Sequence, residues 1–258
     1  MTFRHGKATA LFLNGINATE YFNAGDFSHS IATAETTTWG NNDKTHIPGH
    51  KDATFTASGF FDGEIGRIDR TLWTLNGNQT PYPMTYCPDG GAIVGRNARL
   101  AALLNTDIAN SSPISSATTL KLSGQVAGNA AGVGGGRFGQ VLNGTTQGGS
   151  SVITGTTVDS GIIGGTTNGG FANIHMTLNS RSAGNSVKVQ HSTNGTVWVD
   201  LVEQVVPAGV AVDASNPFGQ PTAYQLAIAG TINRYVRALI TPTAGTGAFV
   251  AVVALARN

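Results

Sequence analysis

The sequence predicts an all-β protein: a β-sandwich or barrel with one covering helix, followed by a second β-sandwich. Three observations carry that reading. Most segments alternate apolar and polar residues with a period of two. Turn-forming residues, among them 35 glycines in 258 residues, separate those runs. Helical spacing is confined to one short stretch.

Taken in chain order, Ala8–Leu13 reads as a short strand closed by the turn Asn14-Gly15. Phe27–Thr38 is a longer strand, polar on both faces, which suits a sheet with one face open to water. Trp39–Lys51 breaks the alternation with Gly40, Asn41, Asn42, Pro48 and Gly49, so a long inter-strand loop is expected over 39–51. Ala53–Phe61 resumes the strand pattern. Ile65, Ile68, Leu72 and Leu75 fall at helical spacing before Asn76-Gly77, predicting a helix from Ile65 to Leu75 that covers one sheet face. Tyr82–Cys87, Arg99–Ile108 and Thr118–Val126 read as further strands.

Residues 128–149 are rich in glycine and read as a flexible connection. They lack the Gly-Lys-Ser/Thr ending and strand–helix setting of a phosphate-binding loop. A boundary near 150 would therefore separate a domain of residues 1–150 from one of residues 151–258. In the second half, Phe171–Leu178, Ser186–Ser192, Val197–Val202, Ala223–Ala229, Tyr235–Thr241 and Ala248–Ala256 read as six strands. Asn194-Gly195 between two alternating runs is a hairpin signal. The run Phe249–Ala256 is apolar on both faces and is expected at the centre of a sheet.

Charge narrows the function. Only 11% of residues are charged and the formal net charge is +1, which argues against attachment to nucleic acid or anionic lipid through bulk charge. A surface so poor in charge is weakly protected against association, so burial by further copies of the chain is expected. The opening residues do not read as a secretory leader, and no window approaches the roughly 18 apolar residues of a membrane span. One cysteine, Cys87, has no His-Asp arrangement near it in sequence and reads as a quiet thiol.

The residues do not suggest an active site. His46 and His50 flank Ile47-Pro48-Gly49, which forbids the helix that would bring them onto one zinc ion. Asp62 and Glu64 are neighbours in sequence and read as solvated turn acids. Neither an enzymatic activity nor a cofactor or metal is expected.

One constellation points further. Asp26-Phe27-Ser28, Thr37-Thr38-Trp39-Gly40, Asp43-Lys44, Ile47-Pro48-Gly49, Lys51-Asp52-Ala53-Thr54-Phe55, Ser58-Gly59 and Phe61-Asp62-Gly63, in that order, resemble the major tail tube proteins of long, non-contractile-tailed bacteriophages. The later segments Val187–Ser192, Trp198–Leu201, Gly230–Arg237 and Ala254–Arg257 are similar to the carboxy-terminal domain of actinobacteriophage-like members. The resemblance spans roughly residues 8–62 and 170–258. It implies hexameric rings stacked into a tube whose sheets line a channel for viral DNA, within a virion tail assembled in the host bacterial cytoplasm. It also implies contacts with the tape measure, tail terminator and distal tail proteins, and no membrane partner.

On that resemblance, Trp39, Asp43, Lys44, Pro48 and Lys51 belong to an interface loop, Ser28 and Glu35 face the lumen, and residues 151–258 lie outside the tube. Ten basic and ten acidic residues up to residue 150 suit a channel that DNA must leave freely. Two other readings compete. Trp198, Tyr224 and Tyr235 could form an aromatic sugar-binding surface on an adhesin, although Trp198 reads more simply as sandwich core. An accessory virion protein, such as a decoration or distal tail protein, could use similar β modules.

Overall fold

A computed structural model describes residues 9–40, 42–64, 67–89, 91–111, 119–127, 137–144, 147–161 and 165–258. The first half contributes β1 (Ala10–Leu13), β2 (Ile16–Asn17), β3 (Phe22–Glu35), β4 (His46–Phe60), α1 (Ile68–Trp73), β5 (Tyr82–Cys87), β6 (Asn97–Ser111), β7 (Thr119–Val126), β8 (Arg137–Asn143) and β9 (Gln147–Gly148). The second contributes β10 (Ile153–Thr154), β11 (Val158–Asp159), β12 (Gly170–Asn179), β13 (Asn185–Ser192), β14 (Val199–Val206), β15 (Thr222–Ile228), β16 (Tyr235–Pro242) and β17 (Phe249–Arg257). The chain is all-β, as the alternation predicts. No described helix is long and apolar enough to cross a membrane.

Two sheets account for these strands. The larger runs β15-β12-β17-β8-β6-β5-β1-β2 and carries a branch from β6 through β7 and β4 to β3. The smaller runs β10-β16-β13-β14, with β11 also on β16. Val187, Val189, Val236, Ala238 and Ile240 of the smaller sheet pack on Ala172, Ile174, Met176, Ala251 and Val253 of the larger one. The opposite faces of β12 and β17 are also buried. Phe171, Val252, Ala254 and Ala256 there meet Phe12, Cys87, Leu100 and Val141. The double burial explains why β17 is apolar on both faces, and it places that strand between β12 and β8, as expected of a central strand.

The first half builds its own core against the branch. The turn Asn14-Gly15 has φ of 46° and 86°, the paired left-handed geometry of a tight hairpin. A side chain at Gly15 would meet the Thr222 carbonyl oxygen at 2.6 Å, so glycine is required there twice over. Helix α1 covers one face of β4, β6 and β7, burying Ile68, Leu72 and Leu75 against Phe55, Ala57, Ile108, Leu120 and Leu122. It is shorter than the expected Ile65–Leu75, and Ile65 lies outside the described residues. The Thr71 and Thr74 hydroxyls donate back to the Arg67 and Thr71 carbonyls, and the Leu75 N–H reaches Leu72, which tightens and ends the helix. The Asn76 and Asn78 carboxamide oxygens then accept from the Ile108 and Thr106 N–H groups of β6 (3.2 and 3.0 Å), where a bulge re-aims the strand.

Two expectations need correction. The glycine-rich stretch 128–149 contains β8 and β9, although residues 128–136 and 145–146 lie outside the described part. A Cβ at Gly139 would meet the Leu255 carbonyl oxygen at 2.4 Å and Leu100 Cδ1 at 2.8 Å. Close strand packing, and not only pliancy, selects glycine in this stretch. The two halves also do not part at 150, because β8 pairs with β17 and both halves fill one core. A polar contact crosses the same seam: the Asn173 side chain, itself held by a hydrogen bond from Gln225 at 2.9 Å, donates to the Met84 carbonyl at 2.8 Å.

Candidate assembly surfaces

Strands β3 and β4 pair from Phe22↔Gly59 to Glu35↔His46, forming a hairpin whose tip is 36–45. The loop expected over 39–51 is therefore shorter, and His46–Lys51 belongs to β4. Pro48 is tolerated because β7 pairs only with Thr54–Phe60, leaving the outer part of β4 with one free edge, and because a bulge lies opposite, between Ile31 and Thr33. At the tip the Thr36 N–H donates to the Thr45 carbonyl (2.8 Å) and the Thr45 N–H to the Thr37 hydroxyl (3.1 Å). Asp43 is exposed and the Trp39 ring is wholly so. Lys44 pairs with Glu35 at 3.0 Å. Lys51 lies in β4 opposite Ile31, and its side chain and that of His50 lie outside the described part.

The pairing register lays side chains out in rows across β3, β4, β7 and β6. One row is Asp26–Thr56–Ser123–Asp107, and the next is Ala24–Ser58–Lys121–Ala109. Ser28 lies opposite Thr54 in a third row. This face forms a shallow hollow of about 450 Å³. Its reverse carries Phe55, Ala57, Leu122 and Ile108 of the core. Ser28 is thus on the open polar face. Glu35 sits at the tip end of β3, where the Lys44 ammonium offsets its charge. Sequence reasoning picked out Ser28 but missed Asp26, Asp107 and Lys121. Alternation of Lys121, Ser123 and Gln125 with Leu120, Leu122 and Gly124 was the signal that could have found Lys121.

Trp198, Tyr224 and Tyr235 do not form one surface. Trp198 is half-buried, with the Arg237 guanidinium 4.1 Å from its ring centroid, so it is neither core nor a bare platform. Arg237 donates to Gln190 (2.8 Å), Gln190 to Asp200 (2.7 Å), and Lys188 bridges Asp200 (2.7 Å) and Glu203 (3.5 Å). Lys188 and then Gln190 hold the Asp200 carboxyl below its usual range. Tyr224, half-buried, packs instead against the sandwich core from β15 of the larger sheet. Tyr235 lies beside Arg234, whose guanidinium grips Asp159 at 2.6 and 2.7 Å and lowers that carboxyl to about 2, helped by the Gly161 N–H.

Burial pushes the Cys87 thiol up to about 12, which suppresses the reactive thiolate. Asp62 and Glu64 lie 3.8 and 4.0 Å from Arg67 at the surface. Among the described residues no three His, Cys, Asp or Glu side chains gather in a metal-binding group.

No protein-family model and no curated protein matches the chain. Among the solved structures that are similar to it are two virus-like particle components. A chain from the virion of a native gene transfer agent particle is 16% identical, with a TM-score of 0.39 over 49% of this chain and 96% of its own. The Dit (gp 19.1) protein of phage SPP1, described as a paradigm of the hub adsorption apparatus in phages infecting Gram-positive bacteria, is 10% identical. Its TM-score is 0.33 over 95% of this chain and 98% of its own.

Proposed function

We propose that the chain is a structural subunit of a bacteriophage tail, of the tail tube type, whose copies stack as hexameric rings around a channel for viral DNA. The observation that carries this reading is the four-stranded branch of the larger sheet, β3, β4, β7 and β6. One of its faces is buried under α1, and the other is an open array of small hydroxyl-bearing side chains with Asp26, Asp107 and Lys121. Such a face suits a wet wall that DNA passes without lasting contact, because phosphate binding strengthens with each cation presented. The low overall charge and the long exposed edge of β3 favour association between copies. The sequence pattern across residues 26–63 supplies the family.

In this arrangement the tip residues Trp39, Asp43 and Lys44, with the strand residues Pro48 and Lys51 behind them, meet a neighbouring ring. Ser28 faces the lumen, and the smaller sheet lies outside. Partners are further copies of the chain, the tape measure, terminator and distal tail proteins, and DNA in transit, all within the virion tail. An adhesin reading would require Trp198, Tyr224 and Tyr235 to share a surface, and Tyr224 lies half-buried against the sandwich core from the larger sheet instead. Electron microscopy of the purified full chain tests the proposal. Uniform rings or tubes support it, and a monomer at all concentrations overturns it.

A further inference from the structure

We infer that an apolar groove at the base of the β3–β4 hairpin receives Trp39 from the hairpin tip of a second copy, so that copies join tip to base. The inference rests on the tail-subunit reading and names the contact through which it would operate. The groove has a volume of about 380 Å³, and Ile16, Tyr21, Ile68, Leu178, Pro217 and Phe218 line most of it. It draws walls from both halves of the chain, from α1 and from the loop before β15. Phe218 is 40% exposed, so the groove is open to an incoming ring.

Trp39 is the matching knob. Its relative exposure is 107%, so its indole lies against nothing in its own chain. It cannot fill its own groove, because Tyr21 stands immediately before β3 and Trp39 stands beyond the far end of that strand. A strand of 14 residues separates them by roughly 45 Å. Charge matches as well. Asp43 is exposed on the same tip, and Arg70 is exposed on α1 beside Thr71, which lines the groove. Among the described residues neither Asp43 nor Arg70 has an ion-pair partner.

Knob and groove occupy different places on one chain, so the contact is heterologous: each copy gives a tip and receives another. Contacts of that kind do not close on a pair and instead propagate as rings or filaments. A second copy is therefore the fitting occupant. A tip-to-base joint also sets an axial repeat no longer than the hairpin, roughly 45 Å from the rise per strand residue.

Cross-linking between two differently tagged full-length populations tests the joint. One carries Gly40→Cys, a site beside Trp39 where a Cβ meets nothing within 4 Å, and the other carries Thr71→Cys in the groove wall. The buried Cys87 stays silent. Oxidation should yield a disulfide-linked species bearing both tags, falling at least tenfold when Trp39→Ala is added to the first population and persisting with Trp39→Phe. Equal linkage to a control Ser123→Cys overturns the inference. If the mixture forms tubes but positions 40 and 71 do not link, the joint is wrong and the tail-subunit reading stands. If the wild-type chain stays monomeric, both fall.

Discussion

The His175 ring lies between the two halves of the chain, with Nε2 3.0 Å from the Thr85 hydroxyl and Nδ1 taking a hydrogen bond from the Gly15 N–H at 3.3 Å. An Nδ1 that accepts leaves the proton on Nε2, so the ring is neutral and donates to Thr85. It is fully buried, packed 5.8 Å from the Phe12 ring, and burial lowers its pKa to about 3. One side chain of β12 thus ties down both the first hairpin turn and β5.

That buried imidazole makes stability depend on pH in a definite direction. The unfolded chain takes up the proton near 6.5 and the folded chain only near 3. Stability from this group is therefore complete above about 6.5 and is lost as the pH falls toward 3, at a slope of at most about 1.4 kcal/mol per pH unit. Asp159 and Asp200 also favour the folded state above their lowered pKa values, so the comparison must be between variants. Urea midpoints at pH 7, 6, 5 and 4 should fall less steeply for His175→Gln than for the wild type. Parallel curves would count against the assignment.

Arg181 is a buried cation with no carboxylate partner among the described residues. Its guanidinium donates to the Gly149 carbonyl at 2.7 Å and to the carbonyls of Thr243 and Gly245, holding three loops together. Arg181→Ala leaves those carbonyls without their donor and opens a cavity, at a cost of about 3 kcal/mol or more. Chemical denaturation should show the shift, and a loss below about 1 kcal/mol would mean that water replaces the guanidinium without penalty.

A fragment of residues 1–150 should not fold as a soluble monomer. It would lack β17, on which β8 pairs, and the β12 face that covers Phe12 and Leu100. Size-exclusion chromatography and circular dichroism of the fragment decide this. A folded, soluble fragment would restore the independent first domain that the glycine-rich stretch suggests.

If the open face lines the channel, converting Asp26 and Asp107 together to lysine places three cations in adjacent rows with Lys121. Tubes should form at normal length, because both side chains point away from the core. Genome release in vitro should slow and should recover as salt is raised, reflecting added phosphate contacts. Release at the wild-type rate in low salt would remove this face from the DNA path.

The sequence revealed its strands more readily than their neighbours. Tyr82–Cys87 and the six later strands were legible because each has an interior and an exterior face, or none exposed, within one short run. Residues 137–143 were not, because a glycine chosen for close approach, such as Gly139, looks the same as one chosen for pliancy. His46–Lys51 was read as loop because Pro48-Gly49 usually breaks a strand, and nothing local announces a free edge. The pairing of β8 with β17 joins residues more than a hundred positions apart, so no short window could suggest it. Of the candidate surfaces, the open polar face was readable from alternation, whereas the groove takes its walls from five segments scattered along the chain.

The position of β17 gives the fold a sequence of events in time. Its neighbours β8 and β12 leave the ribosome well before it does, and until it arrives they hold open a slot in the middle of the larger sheet. Both interior layers therefore close together and late, through contacts of long sequence separation that are slow to form. A half-made chain has a hairpin and a helix but no finished seam, so the groove at the hairpin's base, which needs Leu178, Pro217 and Val250, does not yet exist. Nascent subunits would thus be poor acceptors, and growth of an assembly would be reserved for finished ones.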